Sequence, residues 1–198
     1  MKIGIPVLHA MALALAITVL LGCSSPMMRP AGAINASQDY AVINFMRPST
    51  IAWMVGGGIK FNLWDRDEFI GFLEAGKCVQ YKAAPGDHIF LALAFNSAAV
   101  KANIQSGKTY YVLASPRLTP MGVSDVALEV LKPNDKRIDE MLQSLKLSTL
   151  NKERWDADWK KSMGDPASQK IWELHQSMVR AVQNESVEFS VMNPQDGR

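Results

Sequence analysis

Three stretches of this chain hold side chains in an order that could do chemistry. Asp87-His88 directly follows a Pro85-Gly86 turn signal, and a carboxylate beside an imidazole can orient it as the general base of a hydrolase. Such a site also needs a hydroxyl nucleophile, and no Gly-x-Ser-x-Gly elbow presents one, so a polar pair opening a strand is the plainer reading. Ala102-Asn-Ile-Gln-Ser-Gly-Lys-Thr109 stands one residue from a phosphate-binding P-loop, with alanine in place of the first glycine. That loop works when a strand precedes it and a helix N-terminus follows, so that backbone amides converge on the phosphate. Here Tyr110-Tyr-Val-Leu-Ala114 has the pattern of a strand, which makes Gly107 the positive-φ residue of a hairpin turn and argues against a nucleotide. The third is the thiol of Cys23, placed after a glycine at the end of an apolar run.

The remaining candidates are few. With His9, His88 and His175 the only histidines, and no His-Glu-x-x-His or Cys-x-x-Cys pattern, no metal and no resident cofactor are expected. Cys78 reads as a small buried hydrophobe, since Lys77 alone does not make a thiolate-stabilising neighbourhood. His175 falls on an apolar stripe and reads as a hydrogen-bonded core or rim residue. Val55-Gly56-Gly57-Gly58-Ile59 lacks dinucleotide-loop spacing and reads as a bulged or flexible connection.

The residues before Cys23 address its chemistry. Met1 and Lys2 give a positive start, Ile3 to Leu21 is almost wholly apolar, and Ser24-Ser25-Pro26 turns the chain polar. Residues 1–22 therefore read as a secretory signal peptide. Pro6, His9 and the lack of a following basic cluster argue against an uncleaved membrane helix. Leu20, Leu21, Gly22 and Cys23 resemble the bacterial lipobox. The resemblance implies a diacylglycerol on the Cys23 thiol, cleavage before it, and acylation of the new amino group. Two lipid signals already anchor a protein stably, so three acyl chains would hold it essentially permanently. Ser24 stands where an aspartate is the familiar inner-membrane retention signal, which implies the outer membrane, facing the periplasm.

What must position these residues follows from periodicity. Residues 23–39, rich in small residues with Pro26, Pro30 and Gly32, read as a lipidated flexible tether spanning on the order of 20 Å. From 40 to 133 short alternating runs recur between turn signals, which predicts an antiparallel β-sandwich. His88 to Phe95 is apolar on both faces and reads as a central strand. From 134 to 198 the period changes to that of two or three amphipathic helices. Ile138, Met141, Leu142 and Leu145 form one stripe, Trp155, Trp159 and Met163 a second, and Asp165-Pro166 caps a third that carries Trp172. Val187, Phe189 and Val191 alternate as a strand would. At 198 residues, 48% hydrophobic and 20% charged, with basic and acidic residues interleaved, the chain has no footprint for nucleic acid.

Ile70-Gly71-Phe72-Leu73, Tyr81 with Pro85-Gly86-Asp87-His88, and Ser106-Gly107-Lys108-Thr109-Tyr110-Tyr111-Val112 resemble, in order and spacing, the landmarks of an uncharacterised family of bacterial envelope lipoproteins. The resemblance covers residues 40–131 and implies an immunoglobulin- or transthyretin-like sandwich with no established activity. The expected function is a membrane-anchored, non-catalytic binding or scaffold module with an envelope protein as partner. An envelope hydrolase using Asp87 and His88, or a surface lipoprotein meeting host molecules, are the alternatives. Trp155, Trp159 and Trp172, outside the resemblance, are the candidate partner surface, because tryptophan is enriched at interface hot spots. Packing on the protein's own core is the plainer reading of the same stripe.

Overall fold

The computed structural model describes residues 27–49, 59–118, 124–162 and 165–198. Among them the chain forms β1 (Met28–Pro30), β2 (Ala41–Arg47), β3 (Phe61–Asp65), β4 (Glu68–Leu73), β5 (Lys77–Ala83), β6 (Gly86–Leu93), β7 (Ser97–Ile104), β8 (Thr109–Leu118) and β9 (Ser124–Leu131). Helix α1 (Arg137–Ser144), β10 (Lys146–Leu150), α2 (Lys152–Ser162), α3 (Pro166–Gln183) and β11 (Ser190–Met192) follow. One sheet runs β1-β10-β5-β2-β8-β9 and the other β11-β7-β6-β3-β4. This is the mainly β sandwich with C-terminal helices that the periodicity predicts.

The sheets are mixed, where the alternating runs predict strands that are antiparallel throughout. Neighbours joined by tight turns, β3 with β4 and β6 with β7, are antiparallel, as a short turn requires. The parallel pairs β2 with β8, β5 with β10 and β7 with β11 join strands far apart in sequence, where no turn constrains direction. Gly107 has φ +76°, as the turn reading requires, but it does not close a hairpin. Strands β7 and β8 lie in different sheets, and the turn carries the chain across the sandwich. Pro85 and Gly86 likewise pass the chain from β5 in one sheet to β6 in the other.

Three apolar layers explain the burial pattern. Between the sheets lie Ile43, Phe45, Phe61, Phe90, Val100 and Tyr110. The outer face of the first sheet buries Met46, Cys78, Tyr111 and Leu113 under Ile138 and Leu145 of the α1 region. The outer face of the second buries Trp64, Phe69, Ile89 and Leu91 under α2 and α3. Covering on both faces is why β2 is buried along its whole length and why β6, the middle strand of its sheet, is apolar on both sides. Tyr110 and Tyr111 point to opposite faces and enter different layers. Strand β6 ends at Leu93, so Phe95 lies in the turn after it, 69% exposed.

Two stretches depart from the expected organisation. The segment 23–39 is not free throughout, because Met28 pairs with Leu150, Pro30 with Ser148, and the Met27 carbonyl accepts the Asn151 N–H at 2.8 Å. Lys146 to Leu150 is a strand that helical periodicity on either side conceals, and it enters the sheet beside β5. The segment after Pro133 therefore supplies strands to both sheets. Residue Val191 pairs with Lys101 as part of β11, while Val187 and Phe189 pack beside the strand rather than in it.

Arg47, at the end of β2, is fully buried. Its Nη1 donates to the carbonyls of Ile59 (2.5 Å) and Leu73 (3.1 Å), and its guanidinium lies 3.9 Å from the Phe61 ring centre. Burial lowers its pKa, with the nearby Glu74 carboxylate acting in the opposite direction. Among the described residues its Nε and Nη2 atoms have no partner.

Candidate functional site

His88 lies near the start of β6 and belongs to a cluster with Asp65 of β3, Glu68 of β4 and Tyr81 of β5. Its Nδ1 donates to Asp65 Oδ2 at 2.6 Å and its Nε2 to the Ala84 carbonyl at 2.8 Å. A carbonyl only accepts, so Nε2 carries a hydrogen, and a carboxylate on the other side favours one on Nδ1 as well. Acceptors on both sides therefore favour the protonated ring. Burial alone would lower its pKa, but the hydrogen bond and charge of Asp65, with the Ala84 carbonyl, outweigh burial and raise it. The ring stacks on Phe90 at 5.5 Å and 8°. Tyr81 from β5 completes the cluster, its hydroxyl 3.0 Å from Asp65 and 3.1 Å from Glu68. Burial first, and then the two carboxylates, push the phenol's pKa far up, so it stays neutral.

This arrangement joins the two sheets and engages both nitrogens of the imidazole. Among the described residues the partners of the two His88 nitrogens are a carboxylate and a backbone carbonyl, neither of them a hydroxyl or thiol nucleophile. Asp87 does not orient His88. Adjacent strand residues face opposite sides, and Asp87 instead accepts from Asn103 Nδ2 at 2.6 Å across the β6–β7 pair. Asp65, the actual partner, sits 23 residues away in what reads locally as a polar turn, and only the β3–β6 pairing brings it near. Beside the cluster an open cavity of about 350 Å³ is lined by Arg66, Asp87, His88, Lys101 and Asn103. Its charges are largely committed, Lys101 to Glu185 at 2.7 Å and Arg66 Nη2 to the Asp87 carbonyl at 3.0 Å.

The tryptophans read as a partner surface pack on the protein itself. Trp155 stacks on Phe69 at 3.8 Å, Trp155 and Trp159 stack at 5.2 Å, and Trp155, Trp159 and Trp172 all pack against Trp64 within 6.0 Å. His175 lies in the same cluster, stacked on Trp172 at 4.9 Å, with its Nε2 donating to the Arg66 carbonyl at 2.7 Å. Burial lowers its pKa, the direction opposite to the shift at His88. Offset and edge-to-face ring pairs add about 0.5–1.5 kcal/mol beyond their buried area. The physical reason for the inward packing is a large apolar patch on the second sheet, around Trp64, Phe69 and Leu91, that must be covered.

The other candidates resolve similarly. Cys78 is buried, its thiol pushed up to about 12 by burial, which makes it unreactive. Lys108 is not presented to a phosphate, because its Nζ donates to the Pro194 carbonyl at 2.7 Å and ties the C-terminal tail to the turn. Among the described residues no three His, Cys, Asp or Glu side chains come together as metal ligands. Leu20, Leu21, Gly22 and Cys23, and residues 55–58 of the glycine run, lie outside the described residues. Comparison of the chain with protein-family models, curated proteins and solved structures finds no match.

Proposed function

We propose that the chain is a lipid-anchored protein of a bacterial envelope, held by Cys23 in the outer membrane and facing the periplasm, where its sandwich serves as a non-catalytic binding or scaffold module. The observation that carries the reading is the Leu20-Leu21-Gly22-Cys23 run followed, at Met28, by a strand of a folded domain. The engagement of both His88 nitrogens and the burial of Cys78 support a non-catalytic role over the hydrolase reading. The landmark resemblance to envelope lipoproteins belongs to the same proposal, as does an envelope protein partner. Nucleotide and nucleic acid fall outside it.

Cys23 gives the direct test. Expressed in a Gram-negative cell with a palmitate analogue, the wild type should incorporate label and begin at an acylated Cys23. Cys23→Ser should accumulate as an unlabelled, uncleaved precursor. A free Cys23 thiol, or residues upstream of it in the mature chain, would overturn the anchor. Crosslinking intact cells before detergent extraction should retain an envelope protein on the wild type, and loss of all retained protein would count against the scaffold role.

A further inference from the structure

We propose that the end of the sandwich from which β1 emerges rests against the bilayer, with the lipid headgroup surface as its partner. The proposal rests on the lipid-anchor reading of Cys23 and takes its force from chain length. Positions 23 and 28 are five residues apart. An extended chain advances at most about 3.6 Å per residue, so the anchor lies within roughly 18 Å of Met28. A free tether through residue 39 would let the domain tumble, but pairing from Met28 onward removes most of that freedom.

Met28 is firmly placed. It pairs with Leu150, its sulfur accepts the Phe72 N–H at 3.3 Å, and its side chain fills the space over Gly71, where a Cβ would come within 2.8 Å of it. Strand β1 is antiparallel to β10 and β10 parallel to β5, so the chain reaches Met28 at the end where β5 runs out into the Pro85 turn. Glu68, Tyr81, Lys82 and Lys152 line a groove at that end beside Leu150. The turn holding Phe95 lies at the other end of β6, whose eight residues span about 25 Å. A short leash thus draws the start of α2 down to the headgroups and holds Phe95 away from them. Lys82 and Lys152 are balanced by Glu68 and Glu153, so the acyl chains supply attachment and the leash supplies orientation.

The full lipidated chain, reconstituted into phosphatidylcholine vesicles carrying a headgroup quencher, tests this. A fluorophore is attached through Glu153→Cys, beside the start of the leash, or Phe95→Cys, at the far end; Cys78 is buried and does not compete. The label at 153 should be quenched several-fold more than that at 95. The difference should persist in high salt and in vesicles with added phosphatidylglycerol. A fifteen-residue Gly-Ser insertion between Pro26 and Met27 should abolish it. Equal quenching of the two labels on vesicle-bound protein, or a difference that the insertion leaves unchanged, would overturn the orientation while leaving the anchor intact. A protein that does not float with vesicles, or whose mass lacks acyl chains, would instead sink the anchor reading and this proposal with it.

Discussion

His88 and His175 sit in opposite electrostatic situations, and their linkage to stability has opposite signs. The folded pKa of His88 is raised above the ordinary 6.5, so its contribution is fully present below pH 6.5 and is lost as pH climbs through the raised value. The folded pKa of His175 is lowered, so the unfolded chain takes up the proton first and stability is lost as pH falls below 6.5. Denaturant unfolding across about pH 5 to 9 should show both arms. His88→Gln should flatten the alkaline arm and spare the acid one; His175→Gln should do the reverse. A wild-type alkaline arm that survives His88→Gln would show that the Asp65 pair is not its source. Lys108 offers a second test at this scale. A surface lysine in a turn costs within about 0.5 kcal/mol on truncation. Because Lys108 holds the Pro194 carbonyl, Lys108→Ala should cost about 1–2 kcal/mol by chemical denaturation. A loss below 0.5 kcal/mol would make that contact incidental.

At the scale of elements, α2 and α3 are held by rings rather than by propensity. Helix α3 has a well-formed start, with Asp165 accepting the Ser168 N–H at 3.0 Å and Pro166 in its first turn. Helix α2 is short, and its charged pairs Lys152–Asp156 and Arg154–Asp158 are exposed, worth little each. Its position depends on Trp155 and Trp159. Trp159→Ala should therefore cost about 2–3 kcal/mol, part of the full core value because the ring is half-buried. Leu174→Ala on α3, where the side chain is 60% exposed, should stay within about 0.5 kcal/mol. Thermal melts of the two variants separate an intramolecular core from a vacant partner surface. Wild-type stability in Trp159→Ala combined with loss of the crosslinked partner would restore the tryptophans as an interface.

For the whole molecule, the parts encoded last complete sheets begun first. Strand β10 lies between β1 and β5, β11 extends the other sheet beside β7, and buried Asp196 pairs with Lys132 at 2.7 Å. A fragment of residues 27–133 would bare two apolar faces, around Met46 and Tyr111 on one side and Trp64 and Leu91 on the other. It should aggregate or bind a hydrophobic dye and melt without cooperativity, as scanning calorimetry and dye fluorescence would show. A soluble fragment with a sharp transition would establish the 40–133 sandwich as autonomous.

Local patterns determined much of this protein. Alternation placed β2 to β9, the doubly apolar run placed β6 in the middle of its sheet, and Asp165-Pro166 marked the start of α3, because each is written in contiguous residues whose period matches the element. The Leu20-Leu21-Gly22-Cys23 run is likewise contiguous, and the anchor proposed from it rests on those residues and not on the fold. Tertiary structure alone decided the rest. Strands β1 and β10 are short and find partners only across long gaps, so no local turn announces them. Asp65 becomes the partner of His88 through the β3–β6 register, while the adjacent Asp87 turns away because neighbouring strand residues face opposite sides. The tryptophan stripe has the same spacing whether it meets a partner or its own sheet. Which one it meets depended on the apolar patch left uncovered at Trp64 and Phe69, a property of the assembled sheet rather than of any one segment.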